Sequence, residues 1–409
     1  MEKNYYSGPK VKPIKALHAA WDLASTIISP PYDVVSTSEA KRLVIGKPDH
    51  FLRVSRPEIE FPEQVNPYSK EVYDRGHQNF QRLLNEGKIL IDSYESYYIW
   101  QMVFRGNIST GIVAGISVEA YNLGIIKKHE LTRAEKEEDR VRHISALGAH
   151  TGPVMLICRE DEILFDIVTE VKGARPSCIV KDSSGVEHSI WCVSDEATTK
   201  GISNAFSRVS NLYIADGHHR SAAASVVAKN KPDQYFLGVV LPASELRIFP
   251  YYRTVRDLNG HNLDSFLSLI RTKFKISPRE KAVEPKATKQ IGLYINHSWF
   301  ELILRDSDEL GARTEGMLDV DILSSFILQP ILGINDLRKD KRVDFVGGIR
   351  GLSLLESIVD SGVMACAFSL YPTNVDHLMA VADADGIMPP KSTWFEPKLV
   401  DGLISMRTE

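Results

Sequence analysis

The sequence is short of several features that would fix a function class at once. Cysteine is scarce: Cys158, Cys178, Cys192 and Cys366 stand far apart, each in or beside an apolar run. None has the spacing of a zinc knuckle or a redox dithiol, so all four read as reduced core residues. Excess charge of either sign is also missing, since 49 basic and 53 acidic side chains leave a net charge of −4. That balance gives no electrostatic drive towards a polyanion, and nucleic acid is not an expected partner. No stretch reaches the roughly eighteen uninterrupted apolar residues of a membrane span, and Met1 to Lys10 is polar, without an apolar signal segment. The expectation is a cytoplasmic protein with no membrane partner. Internal repeats, low-complexity tracts and a Gly-x-x-x-x-Gly-Lys-Ser/Thr phosphate loop are likewise missing; Lys391-Ser392 matches only the tail of that loop.

What is there suffices for a large core, with 43% of 409 residues hydrophobic. Segments of helical period alternate with short β-rich runs, the pattern of a mixed α/β (α+β) protein. Helices are predicted at 69–86, 196–207, 219–229, 263–274, 320–328, 351–359 and 375–382. Strands are predicted at 97–104, 111–118, 153–158, 189–193, 211–215, 235–241, 292–295, 299–304 and 363–370. Asn259-Gly260 tolerates positive φ at both residues and precedes a helical pattern, so two parts are expected, 1–258 and 259–409.

The sharpest feature is Leu212-Tyr213-Ile214-Ala215 running into Asp216-Gly217-His218-His219-Arg220 and then Ser221-Ala222-Ala223-Ala224. A strand passes through glycine into an alanine-rich helix. The first-turn amides and helix dipole favour an anion there, and Arg220 with the histidines can add charge-assisted hydrogen bonds to phosphate oxygens. An ordinary exposed basic turn has the same outline. Metal binding by the adjacent histidines ranks below anion binding, because no His-x-x-x-His pair or histidine–carboxylate motif accompanies them.

A second group is the charged run from Lys127 to His143, with His129, Glu130, Thr132 and Arg140. Thr132 with Glu135 fits a capping box, and Lys136, Asp139, Arg140 and His143 share one helical side. That face suits phosphate or metal-linked carboxylates, as it suits solvent. A third is Pro389-Pro390-Lys391-Ser392-Thr393-Trp394-Phe395-Glu396-Pro397-Lys398, two lysines and two hydroxyls between stiff residues, which a surface loop would also explain. Asp33 follows Pro30-Pro31 and is expected on a stiff loop.

These blocks, with Pro30-Pro31-Tyr32-Asp33-Val34 and Pro250-Tyr251-Tyr252-Arg253, together resemble a large family catalogued as uncharacterised, some members of which are pyrophosphate-dependent serine kinases. The resemblance runs from about Ile28 to Leu403. The core Gly217 to Ala223 also looks like the phosphate-binding motif shared by ParB-type nucleotidases, sulfiredoxin and the ADP-dependent free serine kinase. The resemblance implies a ParB/sulfiredoxin-like phosphate-binding core in a larger two-part enzyme. It implies phosphoryl transfer from pyrophosphate to L-serine, giving O-phosphoserine, with Mg2+ as helper. On it, Gly217, His218, His219 and Arg220 hold the donor, and Lys391, Ser392, Thr393 and Lys398 close over it. Asp216 is the first candidate for general base and Asp33 the second, while His129, Glu130, Thr132, Arg140 and Arg253 are donor or substrate contacts. An ATP- or ADP-dependent small-molecule kinase and a ParB-like nucleotide-binding module are the alternatives.

Overall fold

A computed structural model describes residues 10–229, 231, 233–305, 314, 317–337, 339–389 and 391–408. The fold is mixed α/β, and the chain divides into two compact units. The first comprises Met1–Leu246, Ala382–Asp385 and Pro397–Glu409; the second comprises Arg247–Val381 and Gly386–Glu396.

Among the described residues, the main sheet of the first unit has nine strands: β1 (Val11–Lys12), β2 (Tyr97–Phe104), β3 (Asn107–Ser117), β4 (Ile126–Lys127), β5 (Val154–Cys158), β6 (Cys178–Lys181), β7 (Glu187–Val193), β8 (Leu212–Asp216) and β9 (Tyr235–Pro242). Their order is β4-β8-β5-β9-β3-β2-β7-β6, with β1 on β3. Strand β5 and the Leu212–Ala215 part of β8 are buried throughout, with no polar face to align to water. Five helices matter for the site and core: α1 (Lys70–Asn85), α2 (Ala134–Leu147), α3 (Glu162–Lys172), α4 (Glu196–Arg208) and α5 (His218–Val227). Ala222, Ala223 and Ala224 are buried, and with no long side chains between them and the neighbouring element, α5 packs closely on α2. A small four-stranded sheet joins Ala16–Ala19, Ile89–Ile91, Ala149–His150 and the C-terminal strand Ile404–Arg407.

Two features position the site. Strand β4 pairs in parallel with β8, Lys127 opposite Tyr213, so the chain leaving β4 at His129 runs beside the chain leaving β8 at Asp216. The β8–β5 ladder shifts register between Ile214 and Asp216, a bulge that re-aims the strand end just before Gly217.

Among the described residues, the second unit carries a six-stranded antiparallel sheet with strands β10 (Tyr251–Val255), β11 (Phe274–Arg279), β12 (Gln290–Ile295), β13 (Ser298–Leu304), β14 (Val343–Gly347) and β15 (Cys366–Leu370), in the order β11-β13-β12-β15-β10-β14. Asn259 and Gly260 both have positive φ, 55° and 79°, and make the expected turn before the helix Leu263–Arg271. The helix expected at 320–328 is Asp319–Leu323 continued by a π-helical turn, Ser324–Leu328.

Some expectations needed correction. Cys158, Cys178 and Cys366 are buried, but Cys192, one residue from the end of β7, is exposed. Thr132 forms no capping box: α2 starts one residue later, after Arg133, and the Thr132 hydroxyl instead donates to Glu137 Oε2 at 2.7 Å. The charged face of α2 is split, Lys136 facing solvent while Arg140 and His143 are buried. Among the described residues, no helix is long and apolar enough to cross a membrane.

Candidate functional site

The site grows from the bulged end of β8. Gly217 has φ 103°, a left-handed conformation that side-chain-bearing residues rarely adopt. Its missing Cβ serves a second purpose, since a methyl group there would lie 3.1 Å from Arg220 Nε and 3.2 Å from Cζ. Glycine therefore lets the arginine three residues on fold back over the loop. The start of α5 has no side-chain cap and no acidic residue in its first turn. Its first-turn amides keep their donor capacity and their share of the helix dipole, an arrangement that attracts an anion.

Arg220 is 7% exposed. Its Nη1 donates to the Pro153 carbonyl, Nη2 lies 3.6 Å from Asp216 Oδ2, and Nε makes no hydrogen bond among the described residues. Lys398 Nζ reaches the same Asp216 oxygen at 3.2 Å. Burial works to raise the Asp216 carboxyl, but the charges of Lys398 and Arg220 outweigh it and hold the group well below the ordinary carboxylate range. Asp216 is thus an ion-paired anchor for two cations.

Behind this loop lies a cavity of about 20 Å³, lined by Tyr32, Arg140, His143, Thr151, Gly152, Arg220 and Asp401 among others. It has room for a water. Asp401, 1% exposed, is the residue sequence reasoning missed here. Its Oδ1 has no hydrogen-bond partner among the described residues, and a methyl group on Gly152 would sit 3.0 Å from that oxygen and 3.3 Å from Arg220 Cδ. Burial pushes the Asp401 carboxyl up to about 7, with Arg220 opposing and Asp33 adding to the rise. The one sequence signal was an acid in an otherwise apolar run, Leu399-Val400-Asp401-Gly402-Leu403-Ile404.

Asp33 is exposed on the expected loop, within electrostatic reach of Arg220 and Asp401. Backbone pairing and two arginines hold that loop. Ser29 and Asp401 exchange backbone hydrogen bonds at 3.0 and 2.9 Å, Arg56 Nη1 donates to the Tyr32 carbonyl at 3.1 Å, and the Arg140 guanidinium stacks 3.9 Å over the Tyr32 ring. Arg140 in turn donates through Nε and Nη2 to Asp139 Oδ2, at 3.0 and 2.7 Å.

On the other flank, the segment leaving β4 is tied to the start of α5. The Arg133 amide donates to His219 Nε2 at 3.0 Å, which fixes the proton of that ring on Nδ1, and the His129 amide approaches His218 Nε2 at 3.5 Å. His129 and His218 are buried with their rings edge to face, centroids 4.5 Å apart. Burial drives His129 down to about 4, and His218 also falls well below the ordinary range through burial and the neighbouring His129. Both are neutral imidazoles at pH 7. Half-buried Glu130 completes a group in which one ligand atom from each of His129, Glu130 and His218 lies within 4.8 Å of the others.

The first unit therefore holds Asp33, His129, Glu130, Thr132, Arg140, Asp216, Gly217, His218, His219, Arg220 and Lys398, drawn from four separate stretches of sequence. Arg253, Lys391, Ser392 and Thr393 belong to the second unit and form a group of their own. There Arg253 Nη1 donates to the Tyr251 carbonyl at 2.7 Å and Nη2 to the Lys391 carbonyl at 3.0 Å, so Arg253 clamps the lysine's loop. Ser392 Oγ donates to the Pro389 carbonyl at 2.7 Å.

A family model described as a protein of unknown function (DUF1015) matches residues 11–322, and the chain belongs to that family. No curated protein matches the chain. Among solved structures, a conserved hypothetical protein from Pyrococcus furiosus is similar at 13% identity, covering 73% of this chain and 95% of that one, with a TM-score of 0.33. A free serine kinase in complex with AMP is similar at 11% identity, with 73% and 91% covered and a TM-score of 0.35. SbnI with a C-terminal truncation, from Staphylococcus aureus, is similar at 12% identity, with 71% and 85% covered and a TM-score of 0.39. These likenesses are low in identity and in superposition alike.

Proposed function

We propose that this chain is a phosphotransferase that moves a phosphoryl group from pyrophosphate to the hydroxyl of free L-serine, giving O-phosphoserine and phosphate. The observation that carries the anion-binding half of the reading is the uncapped start of α5 with Arg220 folded over Gly217. Serine as acceptor and pyrophosphate as donor come from the resemblance of the sequence blocks described above.

Phosphoryl transfer asks the protein chiefly to position the donor and to neutralise charge on its oxygens. In this reading the donor phosphate rests on the first-turn amides of α5, against Arg220 and Lys398, on the open side of the loop. The serine hydroxyl attacks phosphorus and gives its proton to a carboxylate; the bridging P–O bond breaks, and its electron pair leaves with phosphate. A useful base must accept a proton near neutral pH. Asp216 suits that task poorly, because two cations hold its carboxylate charged and weakly basic. Asp33 is exposed beside the same arginine, and we assign it the base, with Asp216 holding Lys398 and Arg220 in place.

Magnesium, which the resemblance implies, prefers oxygen ligands in octahedral geometry. The metal-competent group found in the first unit offers two imidazoles and one carboxylate, which does not fit a protein-held Mg2+. We treat magnesium as part of the donor, entering as magnesium pyrophosphate.

Isotope-labelled serine incubated with magnesium pyrophosphate, ATP or ADP in turn, with products resolved by mass, tests the reading. Phosphoserine is expected from pyrophosphate at far higher catalytic efficiency than from either nucleotide. Efficient formation with ATP alone would move the donor assignment to a nucleotide, and no phosphoserine with any donor would remove the kinase reading.

A further inference from the structure

We infer that His129, Glu130 and His218 form a binding site for a borderline divalent transition cation of the zinc type. The inference starts from topology. Parallel pairing of β4 with β8 sets Lys127 opposite Tyr213, and two residues beyond that pair the chain delivers His129 and Glu130 to the side of the loop that becomes α5. The bond from the Arg133 amide to His219 Nε2, at 3.0 Å, holds the two segments together. The three donors are thus fixed by the sheet and by a helix start, not by exposed side chains that meet by chance.

The geometry suits one ion. A ligand atom from each residue lies within 4.8 Å of the other two, so an ion bonded at about 2.0–2.2 Å to each is reached by small side-chain rotations. His129 is 2% exposed and His218 is 6% exposed, with their rings edge to face, so both imidazoles are shielded from bulk water. The donor chemistry selects the ion: two nitrogens and one oxygen match the ligand set of open zinc sites, whereas Mg2+ and Ca2+ take oxygen. Three protein ligands leave coordination positions for water or an incoming oxyanion. The inference stands apart from the kinase reading, because it concerns what the three side chains bind.

The test is metal content, read without any activity measurement. The full chain, free of any histidine tag, is stripped with a chelator, dialysed separately against Zn2+, Mn2+ and Mg2+, desalted and analysed by plasma mass spectrometry. About one Zn2+ per chain is expected, retained against excess Mg2+. Loading with Co2+ should give the visible absorption bands of a nitrogen-ligated ion. The double variant His129→Asn/Glu130→Gln should lose zinc affinity by roughly a hundredfold or more, with its circular dichroism unchanged. Zinc retained equally by wild type and a folded double variant would overturn the assignment. So would a wild-type chain that takes up no zinc and gives no cobalt bands, an outcome that does not depend on any variant folding.

Discussion

Lys398 Nζ lies 3.2 Å from Asp216 Oδ2, and Arg220 Nη2 lies 3.6 Å from the same oxygen. One carboxylate thus serves two cations contributed by distant parts of the sequence. Asp216→Asn leaves both cations without their counter-charge, and the Asp216 side chain is 28% exposed, so solvent screens part of the loss. A destabilisation of about 1–3 kcal/mol is expected, read as a lower denaturant midpoint at unchanged slope. An unchanged midpoint would mean that these contacts contribute nothing to folding.

Turnover separates the two aspartates differently. Asp33→Asn removes the proposed proton acceptor while keeping the loop's shape, and should lower kcat by roughly a hundredfold or more with little change in pyrophosphate affinity. Asp216→Asn should instead weaken donor binding more than it lowers kcat. If the Asp33 variant turns over normally and the Asp216 variant is dead, the base is Asp216.

Asp401 gives the fold a pH dependence of definite sign. Its folded carboxyl titrates at about 7, above the ordinary value of an aspartate in the unfolded chain. Below the unfolded value both states hold the proton and Asp401 contributes no slope. Between that value and about 7 the folded state holds the proton and the unfolded state has lost it, so stability falls as pH rises through this window. Asp401→Asn should flatten that fall and raise the melting temperature at pH 8, relative to wild type, by about 3 °C or more, with a smaller gain at pH 5. Parallel melting curves for the two proteins across pH 4–9 would show Asp401 to be unshifted.

Much of the local structure was legible in the sequence. The strand–glycine–helix at 212–227 followed from an apolar run, a glycine and a run of alanines, and α1 and β2 followed from their periodicity. What the residues do to one another was less legible. Spacing marks Arg220 as a phosphate ligand but cannot show that it folds over Gly217, because that depends on a bulge set by pairing with β5. Nothing local to Lys398 names Asp216, 182 residues away, as its partner. The two histidines of the metal-competent group are separated by 89 positions and meet only through the parallel pairing of β4 and β8. Helix α3 went unread because its hydrophobic residues, Ile163, Leu164, Phe165, Ile167, Val168 and Val171, run partly outwards, Phe165 being 62% exposed.

The central claim is that the start of α5, with Arg220 over Gly217, holds the pyrophosphate donor, and its most direct measurement is calorimetric titration of magnesium pyrophosphate into wild type and Arg220→Ala. Arginine offers a fixed fork of donors that alanine cannot replace, so the variant should bind pyrophosphate roughly ten- to a hundredfold more weakly. Circular dichroism should confirm that the variant is folded. Equal affinity of the two folded proteins for pyrophosphate would contradict the account.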